Sequence, residues 1–104
     1  MTKNNFISKI GLKNTLAIFQ RVGYQILYGN YIHKEFNKLN TIIDYSKLKE
    51  AHGNNIADLH YWNVKYYRIT NTEATSKIIF LNNNLEIICC IETIPEKRGF
   101  TYCN

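Results

Sequence analysis

The chain of 104 residues predicts one α+β domain, with N-terminal helices packed on a C-terminal antiparallel sheet of three or more strands. Three observations point there. Apolar residues in the first half recur at helical spacing. A turn-forming His52-Gly53-Asn54-Asn55 run interrupts that period. After it, aromatic and β-branched residues dominate in short runs separated by polar turns, as strands require. The length suits one core, and 45% hydrophobic residues suit a folded domain rather than a disordered tail.

Residues 5–10 are too short to assign; Phe6, Ile7 and Ile10 could start a strand or lead into a helix. Residues 12–22 carry Leu12, Leu16, Phe19 and Val22 on one helical stripe, and Gly23 is expected to end or bend that helix. Tyr24–Tyr28 fits either a continued helix or a strand. Residues 31–44 read as a second helix after an Asn30 N-cap, with Ile32, Phe36, Leu39 and Ile43 facing the sheet. Ser46 is a candidate cap for one more short turn, through Glu50 or Ala51.

Residues 59–69 read as the first strand, 77–81 as the second and 85–92 as the third. The segment 70–76 is loop-like. Asn82-Asn83-Asn84 makes a tight turn, so the second and third strands form a hairpin. Their nearly continuous apolar runs imply that both sheet faces are mostly covered; the helices can cover one, and the other would be a concave surface framed by loop 70–76 and tail 95–102.

No apolar stretch approaches the roughly 20 residues of a membrane span. The N-terminus lacks a signal-like apolar segment, so the expectation is a cytoplasmic or injected protein without membrane attachment. Cys89 and Cys90 are adjacent, Cys103 is near the end, and no C-x-x-C or zinc-like Cys/His spacing occurs. Buried, reduced thiols are the expectation, with no metal and no cofactor. The formal net charge of +5 favours acidic partners, nucleic acid among them.

The tail Pro95-Glu96-Lys97-Arg98-Gly99-Phe100-Thr101-Tyr102 joins two cations to two aromatics at a sheet end. Cations stabilise charge on a reacting phosphate, and aromatics stack on bases. A solvated basic tail packed on a sheet edge is the competing reading. Strand alternation groups His60, Trp62, Tyr66 and Arg68 as an aromatic and cationic stripe suited to single-stranded RNA. The alternative makes Trp62 and Tyr66 core residues. His60 is a candidate acid or base.

These residues resemble, over roughly 59–102, the RelE-like family of ribosome-dependent mRNA-cleaving toxins. The parts that carry the likeness are Tyr67-Arg68-Ile69, Lys77-Ile78-Ile79-Phe80, Leu85 through Ile91, Lys97-Arg98 and Tyr102. The family commonly has arginine where Lys77 stands, and little chain follows Tyr102. The resemblance implies metal-independent cleavage of RNA by attack of the 2′-hydroxyl. Lys77, Lys97, Arg98 and Tyr102 would then be catalytic, RNA or the ribosome the partner, and an antitoxin protein the cover of the basic face. The alternative function is a non-catalytic basic phage or mobile-element protein that binds a nucleic acid or an acidic protein.

Overall fold

A computed structural model describes residues 12–29, 36–53, 56, 59, 62–95 and 99–103. Helix α1 (Leu12–Tyr28) precedes strand β1 (Ile43–Asp44) and helix α2 (Tyr45–His52). Strands β2 (Tyr66–Asn71), β3 (Ser76–Leu81), β4 (Ile87–Thr93) and β5 (Phe100–Tyr102) follow. The five strands pair in sequence order, each antiparallel to the next. The α+β class and the hairpin of β3 with β4 are as the sequence predicts.

Helix α1 runs through Gly23 rather than ending there, and Tyr24–Tyr28 belongs to it. Gly23 serves packing. A Cβ at this buried position would come within 2.8 Å of Ile91 Cδ1 and 3.1 Å of Phe100 Cζ. Its absence lets the helix backbone settle onto β4 and β5. Phe19, Val22 and Ile26 on that face are buried. Phe19 meets Trp62 and Phe80 edge-on, with ring centroids 5.6 and 4.8 Å apart, a favoured aromatic geometry.

The helix expected over 31–44 does not extend through its second half. Phe36 and Asn37 form a short 3-10 turn, Leu39 bridges to Ile69, and Ile43–Asp44 is strand. Asn40 adopts φ 58°, a left-handed conformation that stops a helix, and its N–H donates to the Ile69 carbonyl at 2.7 Å. The four-residue stripe is therefore broken: Phe36 and Ile43 are each 8% exposed, but Leu39 is 44% exposed. Ile32, Asn30 and residues 5–10 lie outside the described residues.

Asp44, not Ser46, caps α2. Its carboxylate accepts from the Ser46 N–H at 2.9 Å and the Ser46 hydroxyl at 2.7 Å. Those bonds, the hydroxyl's first, hold the Asp44 carboxyl below the usual carboxylate range despite partial desolvation, with Lys65 and Lys47 assisting. Gly53 closes the helix at φ 58°.

The strand expected over 59–69 starts only at Tyr66 and continues to Asn71. Trp62 lies in a 3-10 turn and Asn63 has φ 63°, which interrupts the alternation assumed from His60 onward. The polar loop shortens to 72–75, where the Thr75 N–H donates to Thr72 Oγ1 at 3.1 Å. In the β3–β4 turn the Asn82 side chain accepts from the N–H groups of Asn84 and Glu86. The left-handed residue of that turn is Leu85, φ 63°. The tail, read as a basic extension, contributes β5.

Candidate functional site

The sheet has two unlike faces. Tyr67 and Ile69 of β2 stand opposite Phe80 and Ile78 of β3, and Cys89 and Ile91 of β4 continue that row. All are buried in one cluster with α1 and α2. The alternate residues point away from the helices: Tyr66, Arg68 and Thr70 on β2, Lys77, Ile79 and Leu81 on β3, and Cys90 and Glu92 on β4. The apolar runs implied cover on both faces, while the topology implied a concave surface on this one. Tyr66, Arg68, Thr70, Lys77, Ile79 and Glu92 are half-buried here.

A groove of about 340 Å³ opens on it, walled by Arg68, Thr70, Lys77, Ile79, Ile87 and the Cys90–Cys103 pair among others. Arg68 faces Ile79 across the ladder and Lys77 faces Thr70, so the two cations are diagonal neighbours. Such diagonals are about 7–8 Å apart, a span that one phosphate or carboxylate bridges through long side chains. Arg68 Nε is buried and has no hydrogen-bond acceptor among the described residues. Ile79 and Ile87, the latter 62% exposed, provide apolar surface beside it.

A bulge shapes the far wall. Phe80 pairs with Cys89 but Leu81 pairs with Ile87, so Ile88 is the extra residue. The shift turns Ile88 into the core and Ile87 out to solvent.

Cys90 and Cys103 form a disulfide, with Cα atoms 5.2 Å apart, and Cys89 is a buried thiol. The expectation of three reduced cysteines is corrected for two of them. The reason is β5: Tyr102 pairs with Ile91, so Cys103 lands beside Cys90, and its N–H donates to the Cys90 carbonyl at 2.9 Å.

The candidate residues are thus sorted. Lys77, Arg68 and Tyr66 share the open face. Tyr102 pairs with Ile91 and packs against the core cluster, on the opposite face from Lys77. Trp62 is 5% exposed in the core and offers no open ring face for stacking. The stripe of His60, Trp62, Tyr66 and Arg68 therefore does not form as read. His60, Lys97 and Arg98 lie outside the described residues. The described residues that flank the last two are close: the Ile94 N–H donates to the Gly99 carbonyl at 3.2 Å. They sit at the Lys77 end of the sheet, where Lys77 faces Glu92 and the Ser76 N–H donates to Thr93 Oγ1 at 3.0 Å. The sequence reading missed Thr70, Ile79, Ile87 and both disulfide cysteines as groove residues. The alternating Phe100-Thr101-Tyr102-Cys103 run was the signal that could have placed Cys103.

No three His, Cys, Asp or Glu side chains converge as a metal site among the described residues. No helix among them is long and apolar enough to cross a membrane. No family model, curated protein or solved structure matches the chain.

Proposed function

We propose that the chain is an RNA-binding protein that holds a backbone phosphate in the open-face groove. The observation that carries this reading is the pairing of Arg68 and Lys77 over one groove, with a buried Arg68 Nε that has no acceptor among the described residues. A phosphodiester supplies anionic oxygens to both cations, the strongest kind of hydrogen bond for a guanidinium. Tyr66, next on the same strand face, offers a ring to an unstacked base. The net charge of +5 acts in the same direction at longer range.

A second reading adds cleavage, as in the RelE-like toxins. It is favoured by the hydrogen bond between the Ile94 N–H and the Gly99 carbonyl, which lies at the Lys77 end of the sheet. In that reading the cations stabilise the charge that builds on the phosphate as the 2′-hydroxyl attacks. Tyr102, packed against the core on the opposite face, is the weakest of its four assigned residues.

Fluorescence anisotropy with a labelled single-stranded RNA, over a salt series, tests the first reading. Mapping of RNA ends with and without ribosomes tests the second. Salt-sensitive binding without new ends supports the non-catalytic form; new ends lost in Lys77→Ala support the toxin form. An absence of binding at low salt rejects the first reading, and an absence of new ends with ribosomes present rejects the second.

A further inference from the structure

The groove has a chemical feature that phosphate binding does not use. Both sulfur-bearing residues of the Cys90–Cys103 bridge line it, beside Arg68 and Lys77. The two cysteines are 7% and 8% exposed, and the space they border is the groove itself. A small molecule in the groove meets the bridge and the two cations together.

We propose that this disulfide is a thiol-exchange site selective for small acidic thiols, such as a tripeptide thiol with free carboxylates. Arg68 and Lys77 hold the carboxylates. The incoming thiolate attacks one bridge sulfur, forms a mixed disulfide with it and breaks the Cys90–Cys103 bond. The other cysteine departs as a thiolate and takes a proton from water. A second thiolate then attacks the small-molecule sulfur, releases the first cysteine and leaves as a small disulfide. Two thiols thus supply the two electrons. The cations assist twice, by raising the local concentration of an anionic thiol and by stabilising the departing protein thiolate.

The exchange does not depend on the RNA reading, and the two fail separately. Reduction of the native full chain is followed by alkylation and mass spectrometry, using glutathione, neutral 2-mercaptoethanol and cationic cysteamine. Each rate is divided by that reagent's rate on the same chain in urea, which removes intrinsic thiol reactivity. The native protein is expected to favour glutathione over cysteamine by about tenfold or more on this scale. Arg68→Ala and Lys77→Ala each reduce that preference, while Lys47→Ala, an exposed helix position, keeps it. Equal normalised rates for the three thiols overturn the proposal, as do unchanged preferences in both groove variants. So does finding Cys90 and Cys103 as thiols in protein purified without reductant. Anisotropy on the same samples reports RNA binding independently.

Discussion

Asp44 and Arg68 show how single side chains set local structure and local chemistry. Asp44 satisfies the Ser46 N–H in the first turn of α2 and carries a depressed carboxyl. Asp44→Ala should cost about 1 kcal/mol, the usual worth of an N-cap, in urea unfolding at pH 7. Because the folded-state value is lowered, this contribution is full above the ordinary carboxylate range. It disappears as pH falls through the depressed value, so wild type and variant should converge in strong acid. A stability gap that stays constant from pH 7 into strong acid would contradict the assignment. Tyr67 is the second residue-scale test. Its hydroxyl donates to the Phe36 carbonyl at 2.6 Å in the core. Tyr67→Phe removes that buried hydrogen bond and should destabilise by about 1 kcal/mol. The capping role of Asp44 was legible as a polar residue before a short helix, but Ser46 offered an equally good signal. The hydroxyl now serves Asp44, a choice set by where β1 delivers the chain.

Among elements, α1 and the β3–β4 hairpin were legible because each is specified locally, by an apolar stripe and by a turn between two apolar runs. The 31–44 segment was not. Its apolar residues repeat at helical spacing, yet Asn40 in a left-handed conformation and pairing with β2 override that pattern. Long-range pairing is invisible to a periodicity argument. The same holds for β5, whose three residues form a strand because Phe100 packs under Gly23 and Tyr102 pairs with Ile91. Gly23→Ala tests that contact. Alanine gains about 1 kcal/mol of helix propensity, but overpacking against Ile91 and Phe100 costs about 1–3 kcal/mol. A net loss is expected by chemical denaturation; a gain of the full propensity term would show that α1 does not sit closely on the sheet.

For the whole molecule, the helices cover one face and leave the other with its cations, its groove and its disulfide. The sequence marked Lys77 and Arg68 individually, but alternation from His60 grouped Arg68 with Trp62, which the left-handed Asn63 places in the core instead. Only the β2–β3 register makes Arg68 and Lys77 diagonal neighbours. The bridge between Cys90 and Cys103, 13 residues apart, ties the last strand to this face. Replacing Cys103 by Ser should cost about 3 kcal/mol, as expected for a loop of this size, and the loss should vanish when both proteins are unfolded under reducing conditions. The same destabilisation in reductant would assign the effect to packing rather than to the covalent tie.

The salt dependence of RNA binding decides whether Arg68 and Lys77 together hold an RNA phosphate. Each phosphate contact on a single strand contributes roughly 0.7 to the slope of log affinity against log salt. Arg68→Ala and Lys77→Ala should each weaken anisotropy-measured binding and lower that slope, and the double variant should lower it by about this amount. Lys47→Ala should change the slope little. Equal slopes and affinities for wild type and both groove variants would contradict the account.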